Sequence, residues 1–256
     1  MPSPEARHAR GSVRVERGAK RLRTYLGGEL VADTISPLLV WEVPYYPTYY
    51  IPATDVRAEL IEQQGELAHS PSRGDAKTFT VSAGGQRAAA AALRYQDSPI
   101  EELRDAIRID WDAMDAWFEE DEEVYTHPRD PYTRLDILAS SRHVRVLLAG
   151  VRIADSHSPR LLFETGLPVR FYLPKPHVRM DLLERSDTVT HCPYKGRAQS
   201  FNIRLDDGPL HGDLAWHYPA PLPESQKIAG LIAFYNEKLD IEVDGELQPR
   251  PSTKFS

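Results

Sequence analysis

The sequence contains one cysteine in 256 residues, and this scarcity excludes two kinds of structure. A single cysteine cannot form an intrachain disulfide, and it cannot build a zinc site from cysteine ligands alone. The chain also has no run of about 18 apolar residues, the length that suggests a membrane span. Its first residues, MPSPEARHARGSVRVERGAKRLR, lack the apolar core of a secretory signal. These absences predict a protein of the reducing cytoplasm with no membrane partner.

Positive charge is also in the minority. The 31 Lys and Arg residues are outnumbered by 38 Asp and Glu residues, so the net charge is −7. A protein that binds duplex nucleic acid needs a basic face to neutralise phosphates, and this balance therefore predicts no nucleic-acid partner. Basic residues gather in the first part of the chain, which we interpret as a solvated lead-in strand or tail, with a nucleic-acid arm as the alternative.

The most informative feature that is present is an internal repeat. VRAELIEQQGELAHSPSRGDAKTFTV begins at Val56 and VRMDLLERSDTVTHCPYKGRAQSFNI begins at Val178, a shift of 178 − 56 = 122 positions. Between 23–81 and 145–203, 20 of 59 positions are identical without a gap. Self-similarity at a fixed shift predicts two homologous domains in tandem.

The repeat and the local composition divide the chain into five predicted segments. Acidic and proline-rich residues mark a linker, and prolines with polar residues mark the C-terminal arm. In chain order the segments are a basic lead-in (1–19), the first repeat domain (20–126), the linker (127–141), the second repeat domain (142–246) and the arm (247–256).

Each repeat contains short predicted strands joined by hairpins. Gly27-Gly28, Gly84-Gly85 and Asp207-Gly208 are turn pairs that accept positive φ. SPIEELRDA and PLPESQKIA each predict one short helix, because a proline precedes carboxylates in the first turn. LIAFYNEKLDIEVDGE alternates like a closing hairpin, whereas its counterpart IRIDWDAMDAWFEEDE is ambiguous and the repeat favours strand. The predicted fold class is mostly β, with two small tandem domains.

The hexapeptide HCPYKG at 191–196 contains the cysteine, and the first repeat has HSPSRG at 69–74. Both copies keep the histidine, the proline-glycine turn and a cation, whereas the thiol and the phenol occur only in the second. Cys192 is either a nucleophile, its thiol pKa lowered by His191 and Lys195, or a small buried apolar side chain. Adjacent residues of an extended segment point to opposite faces, which weakens the first hypothesis.

Other paired residues carry two interpretations each. Arg57 and Arg179 can bind a carboxylate or phosphate ligand through the guanidinium, or pair with the acidic residue two positions on, Glu59 or Asp181. His191 can act as a general base or an anion ligand, or form a hydrogen bond to backbone within its turn.

Aromatic residues are frequent, and they can line a pocket for a flat or cationic ligand or simply fill a β core. The set is Trp216, Tyr218, Trp41, Tyr50 and Tyr172. His211 and His217 lie six positions apart, which is not a recognised metal-ligand spacing. We therefore predict no metal and no cofactor.

Several motifs together carry a family resemblance. They are VWEVPYYPTYYIP, HSPSRGDA and DWDAMDAWFEEDEEV in the first copy, and VRMDLL, THCPYKG, AWHYPAPLPE and IAGLIAFYNEKLD in the second. Over about 20–126 and 142–246, the two copies resemble the domain-of-unknown-function family number 427. The resemblance implies a mostly-β domain of the tent (Mss4-like) type, shared with methionine-R-sulfoxide reductases and the ligand-binding domain of cereblon.

The resemblance implies no zinc of the usual tent type and no settled activity. Most tent relatives hold zinc with two Cys-x-x-Cys pairs, which this chain lacks. The family is also labelled nucleotidyltransferase-like, and such enzymes need carboxylates that converge on magnesium. Asp206-Asp207 and Asp75 are the best candidates, but no glycine-rich phosphate loop opens a helix.

The leading hypothesis is a small-molecule site in the second repeat, for an anionic or aromatic ligand. The candidates for acid–base chemistry there are His191, Lys195 and Cys192. The candidates for ligand binding are Arg179, Tyr194, Trp216 and Tyr218, with Arg57, His69 and Arg73 in the first repeat. The alternatives are an interaction or structural protein without a catalytic site, and a magnesium-dependent nucleotidyltransferase.

Overall fold

The repeat seen in the sequence is present in the computed structural model as two units, Met1–Asp130 and Pro131–Ser256. The structure describes residues 13–65, 67–205 and 208–253. Both units are built from antiparallel strands, so the mostly-β fold class and the tandem arrangement are confirmed. Most of the basic lead-in, and the Asp206-Asp207 pair proposed for magnesium, lie outside the described residues.

The described part of the first unit has twelve strands and two short 3-10 helices. The strands are β1 (Arg14–Arg17), β2 (Leu22–Leu26), β3 (Glu29–Thr34), β4 (Leu38–Val43), β5 (Tyr46–Pro52), β6 (Glu59–Glu62), β7 (Ala68–Ser70), β8 (Gly74–Ala83), β9 (Gln86–Arg94), β10 (Ala106–Ile109), β11 (Ala116–Glu119) and β12 (Glu122–Glu123). The 3-10 helices are Ala53–Asp55 and Glu101–Leu103.

The described part of the second unit has eleven strands and three 3-10 helices. The strands are β13 (Leu135–Ala139), β14 (Val144–Leu148), β15 (Val151–Ser156), β16 (Arg160–Glu164), β17 (Arg170–Leu173), β18 (Leu183–Cys192), β19 (Gly196–Arg204), β20 (Leu210–His217), β21 (Ile232–Phe234), β22 (Asp240–Val243) and β23 (Glu246–Leu247). The 3-10 helices are Lys175–His177, Met180–Leu182 and Pro223–Ile228.

Each unit packs a large antiparallel sheet against a four-stranded one. In the first unit the orders are β1-β4-β5-β10-β9-β8-β6, with β7 paired to β8, and β12-β11-β2-β3. In the second unit they are β13-β16-β17-β21-β20-β19-β18 and β15-β14-β22-β23. The two topologies correspond strand for strand, except that β18 replaces the separate β6 and β7.

The core lies on both faces of the large sheet because neighbouring side chains of a strand point to opposite faces. On one face Ile51 packs with Leu22 and Val31 of the small sheet. On the other face Tyr50 packs with Leu103 of the 3-10 helix Glu101–Leu103. Each fully buried aliphatic side chain contributes roughly 1.5–3 kcal/mol of hydrophobic free energy, so the two layers fix the position of the large sheet.

Most local predictions agree with the structure, and one is wrong. The hairpins at Gly27-Gly28 and Gly84-Gly85 form, and SPIEELRDA and PLPESQKIA each contain a short 3-10 helix. The predicted closing hairpin in LIAFYNEKLDIEVDGE does not form. β21 pairs with β17 and β20, whereas β22 pairs with β14 and β23. The residues between β21 and β22 lead from the large sheet to the small one. Both sheets bury alternate residues of a strand, so the alternation in the sequence does not show to which sheet a strand belongs.

The predicted domain boundaries stay predictions, although two strands lie in the short connecting segments. β1 lies in the predicted lead-in and pairs with β4, and β13 lies in the predicted linker and pairs with β16. Among the described residues, no helix is long and apolar enough to cross a membrane.

Candidate functional site

The HCPYKG turn joins β18 to β19, and HSPSRG joins β7 to β8. Gly196 and Gly74 end these turns with φ of +89° and +87°. Glycine adopts this conformation without the steric cost of a Cβ, which explains why both copies have glycine here. The cation before each glycine, Lys195 or Arg73, is directed into its unit, and its side chain is largely covered.

The cation of each motif forms a salt bridge with a carboxylate inside its own unit. Lys195 Nζ contacts Glu164 of β16, and these side chains are only 9% and 8% exposed. Arg73 Nη1 contacts Glu42 of β4. Glu42 and Glu164 are separated by the same 122 positions as Arg73 and Lys195. Both repeats therefore neutralise the motif's cation with the same internal partner.

A buried tyrosine adjoins each salt bridge. Tyr50 Oη donates to Glu42 Oε1 at 2.7 Å, and Arg73 Nη1 donates to Tyr50 Oη at 3.2 Å. Burial, together with the charge of Glu42, raises the pKa of Tyr50 far above its ordinary value. Burial also raises the pKa of the corresponding Tyr172. Both phenols therefore stay neutral, and the Glu–cation–Tyr cluster is a structural element of the two repeats.

Cys192 is half-buried and packs against the cluster that contains Tyr172 and Tyr218. The corresponding residue of the first unit is Ser70, whose hydroxyl accepts a hydrogen bond from Arg73 Nε at 3.0 Å. The thiol of Cys192 thus packs against hydrophobic side chains, as expected for a cysteine that acts as a small core side chain.

The histidine of the motif lies on the solvent side. His191 is exposed on β18, opposite Arg197 of β19. His69 is exposed as well, and its Nδ1 donates to Asp75 Oδ1 at 2.6 Å. In both motifs the histidine therefore faces solvent, whereas the cation points inward to a carboxylate of its own unit.

Tyr194, the phenol of the second copy, is half-buried in the turn between β18 and β19. Its carbonyl accepts a hydrogen bond from Ser225 Oγ at 3.1 Å. This contact joins the turn to the 3-10 helix Pro223–Ile228.

The paired arginines are exposed. Arg179 Nη2 donates to Asp181 Oδ2 at 2.6 Å, and this hydrogen bond lowers the pKa of the Asp181 carboxyl. The backbone N–H of Arg179 donates to the carbonyl of Ile153 at 2.8 Å, and that of Arg57 donates to the carbonyl of Val31 at 2.7 Å. What both repeats use at this position is the backbone link to the small sheet.

The structure thus brings together part of the predicted second-repeat site. Trp216, Tyr218 and Cys192 meet around Tyr172, and Trp216 Nε1 donates to Tyr172 Oη at 3.3 Å. Trp216 and Tyr218 are buried in this cluster. Arg179 and His191 stay exposed and are not part of the cluster.

A cleft of about 260 Å³ opens elsewhere, in the first unit, and none of the predicted site residues lines it. It lies between the hairpin of β4 and β5, the segment that follows β10, and residues 126–128. The three segments are far apart in sequence, which is why no local motif indicated the cleft.

Aromatic rings form the inner surface of this cleft. Trp111 stacks on Trp117 with ring centroids 4.8 Å apart and planes within 5°. Tyr49 lies 6.4 Å from both indole rings, and its hydroxyl is bound by the buried carboxylate of Glu119. Tyr49 and Trp117 are buried, whereas Trp111 is half-exposed. The three rings are therefore held in place by the core, and Trp111 presents the accessible ring surface at the opening.

Charged side chains line the rest of the cleft. Arg108 Nε donates to Glu42 Oε1 at 3.2 Å, and Arg73 contacts the same carboxylate, so Glu42 offsets one of these two positive charges. Asp110 and Asp112 are exposed where the cleft meets solvent. The cleft therefore combines aromatic faces with carboxylates.

Strand register identifies the corresponding place in the second unit. Arg108 lies opposite Tyr50, and Ala233 lies opposite Tyr172, which is the counterpart of Tyr50. The shift after β10 is therefore 233 − 108 = 125 positions, and it places Glu237 at the position of Asp112.

In the second unit this place is filled by an arginine. Arg170, which corresponds to Thr48 of the cleft at the 122 shift, donates from both Nη atoms to Glu237 at 2.6 Å. Its Cζ lies 5.6 Å from the ring centroid of Trp216 and 5.7 Å from that of Tyr235. Burial disfavours the charged carboxyl of Glu237, but hydrogen bonds from Arg170 and Thr253 outweigh it and lower the pKa. A guanidinium thus fits this place in the fold.

The comparisons with known proteins agree with the duplicated architecture. The family model described as domain of unknown function (DUF427), and named NTP_transf_9, matches residues 14–120 and again 136–245. No curated protein matches the chain. Because the two matches cover most of the sequence, the chain belongs to the DUF427 family and contains two copies of its domain.

Proposed function

We propose that the first repeat binds a small organic cation, of the guanidinium or ammonium class, in the cleft beside Trp111. One observation carries the proposal: the second repeat fills the corresponding place with the guanidinium of its own Arg170. Thr48 stands at that position in the first repeat, and its short side chain leaves the space to a ligand.

The chemistry of the lining supports a cation. A carboxylate binds a guanidinium through two parallel hydrogen bonds, as Glu237 does with Arg170, and Asp112 offers a carboxylate at that position. Aromatic faces attract cations through the ring quadrupole, and Trp111, which packs beside the buried Tyr49, supplies such a face. A cleft of about 260 Å³ is small compared with the roughly 300–1,000 Å³ of sites for drug-sized ligands, which favours a metabolite-sized ligand.

The proposal keeps the small-molecule class that the sequence predicts but changes the repeat and the ligand charge. In the second repeat Lys195 is paired with Glu164 and Arg179 with Asp181, so both cations already have internal carboxylates. An anionic ligand would have to compete with these contacts. Among the described residues, no salt bridge joins Asp110 or Asp112 to a cation, and Asp110 Oδ1 accepts a hydrogen bond from the backbone N–H of Asp112 at 3.4 Å.

Isothermal titration of the full chain with ethylguanidinium tests the proposal, with neutral N-ethylurea as the isosteric control. We expect one site per chain for ethylguanidinium and at least about tenfold weaker binding of ethylurea, a difference of about 1.4 kcal/mol. Thr48→Arg, which installs the second repeat's residue, should abolish binding, and Asp112→Asn should weaken it.

Asp97→Asn is the matched control, because Asp97 is an exposed carboxylate of the same unit outside the cleft lining. It should bind like the unmodified chain. Equal affinity for ethylurea, or binding that survives Thr48→Arg, would show that the cleft does not select a cation.

A further inference from the structure

Two histidines and an aspartate converge at the small sheet of the second unit, whereas the HCPYKG turn joins two strands of the large sheet. His143, Asp155 and His157 each place one ligand atom within 4.8 Å of the other two. Neither histidine stands in a sequence motif of recognised metal spacing, so the sequence did not indicate them.

The hairpin of β14 and β15 creates this cluster. Val144 lies opposite Ser156, so His143 lies opposite His157, and Asp155 is on the same strand face as His157. The two imidazole rings stack with centroids 3.9 Å apart, and His143 Nε2 lies 2.7 Å from Asp155 Oδ1. The cluster is therefore a consequence of strand register.

The backbone of His143 is held by Asp244, which follows β22, the strand that pairs with β14 on the side opposite β15. Its N–H donates to Asp244 Oδ1 at 2.9 Å, and the N–H of Asp244 donates to the carbonyl of His143 at 2.8 Å. In the first unit, Arg21 and Glu120 make the same two contacts, at 2.9 Å and 2.8 Å. Both repeats thus provide the same fixed frame at this position.

The side chains on that frame differ between the repeats. In the first unit Arg21 Nη2 forms a salt bridge with Asp33 Oδ2 at 2.6 Å, and an exposed Ile35 stands at the position of His157. The second unit keeps the aspartate and has an imidazole at both other positions. Where the first unit has an ion pair, the second unit therefore has three side chains that can each offer a lone pair to a metal.

We propose that His143, Asp155 and His157 form a binding site for a divalent transition-metal ion of the zinc, nickel or copper class. Imidazole and carboxylate are ligands that these ions accept. His143 Nε2 and Asp155 Oδ1 are hydrogen-bond partners 2.7 Å apart, so an ion bound by both atoms takes the place of the shared proton. The two imidazole rings are nearly parallel, and an ion lies in the plane of each ring that binds it, so the exposed His157 has to rotate its side chain to complete the site. His157 is exposed, so the remaining coordination positions face solvent.

Two arginines face the same carboxylate. Arg152 Nη1 donates to Asp155 Oδ2 at 2.9 Å, and Arg145, which is opposite Asp155, forms a salt bridge with Glu242. Arg152 occupies one carboxylate oxygen and leaves Oδ1 to the ion. These cations reduce the affinity but hold the carboxylate in the orientation that the site needs.

Isothermal titration calorimetry of the metal-free full chain with Ni²⁺ and with Zn²⁺ tests the site, and the melting temperature is measured with and without each ion. We expect one ion per chain and a rise in melting temperature on binding. The double variant His143→Arg with His157→Ile installs the first repeat's residues, so the introduced guanidinium can pair with Asp155 and the unit should fold. This variant should lose the ion and the metal-induced rise in melting temperature.

His69→Ala and His191→Ala are the controls, because both imidazoles are exposed and outside the cluster. They should leave the titration unchanged. The reciprocal variant, Arg21→His with Ile35→His, should give a second ion per chain. Absence of binding to the unmodified chain, stoichiometry unaffected by the first double variant, or no second ion in the reciprocal variant would each overturn the proposal.

Discussion

The two repeats differ most clearly at one position, Thr48 in the first and Arg170 in the second. Around Arg170 the second repeat is closed, because the guanidinium binds Glu237 and lies beside the rings of Trp216 and Tyr235. Around Thr48 the first repeat is open and forms a cleft with Trp111 and Asp112. The comparison shows that one fold can either fill this place with its own side chain or leave it open.

What the repeats share defines the limits of that difference. Both keep a largely covered carboxylate, a cation and a buried tyrosine: Glu42, Arg73 and Tyr50 in the first repeat, and Glu164, Lys195 and Tyr172 in the second. In the first unit Tyr50 packs with the 3-10 helix Glu101–Leu103, and in the second unit Tyr172 packs with the 3-10 helix Pro223–Ile228. The two repeats therefore share an internal frame and differ in the residues at its edge.

The largest effect is expected from opening the second repeat with Arg170→Thr. The carboxylate of Glu237 is fully buried, so removal of its partner should cost about 3–5 kcal/mol of local stability. Hydrogen exchange of the second-unit amides measures this loss, while first-unit amides report any general effect. Millimolar ethylguanidinium should restore part of the protection. Unchanged exchange would mean that Arg170 does not stabilise its surroundings.

A smaller effect should distinguish the shared salt bridges. Lys195→Met leaves Glu164 largely buried without Lys195 and should cost about 3 kcal/mol. Arg73→Met should cost only about 1–2 kcal/mol, because Arg108 and Tyr50 also contact Glu42. Hydrogen exchange of each unit gives both values, and equal losses would contradict the difference we assign to Arg108.

A still smaller effect is expected from Cys192→Ser, which gives the second repeat the residue that the first has at Ser70. The thiol is half-buried in an apolar cluster, so the change should cost less than about 1.5 kcal/mol. The melting temperature measures it. A loss of several kcal/mol, or loss of ethylguanidinium binding in the first repeat, would require a different role for the thiol.

The smallest effect concerns pH. Burial, with the charges of Lys175 and Arg185, lowers the pKa of His217, whose counterpart is Arg94 in the first repeat. Because the unfolded chain binds the proton more readily, the stability present above about pH 6.5 declines as the pH falls through the lowered pKa. His217→Gln should therefore reduce the difference in second-unit stability between pH 8 and pH 5. An unaltered difference would contradict this assignment.

The fold was largely predictable because its signals are local and occur twice. Glycine pairs indicated the hairpins, and the constant shift of 122 positions indicated the duplication. The closing hairpin was predicted wrongly because alternation shows that a segment is a strand but does not identify its partner. β21 and β22 both alternate, yet they belong to different sheets.

The site was predictable only in part. The pairing of Glu42 with Glu164 was visible in the aligned repeats and could have indicated the partners of Arg73 and Lys195. The cleft depends instead on three segments distant in sequence, and its counterpart in the second unit is found only after the shift changes from 122 to 125. His143 and His157 meet through strand register, which spacing along the chain does not reveal.

A crystal structure of the full chain soaked with ethylguanidinium would show whether the open repeat takes the cation that the closed repeat supplies itself. We expect one bound cation in the first unit, with its plane beside Trp111 and its nitrogens on the carboxylate of Asp112, and an unchanged Arg170–Glu237 pair in the second. An unoccupied first-unit cleft, or a cation bound elsewhere while the cleft holds only water, would contradict the proposed function.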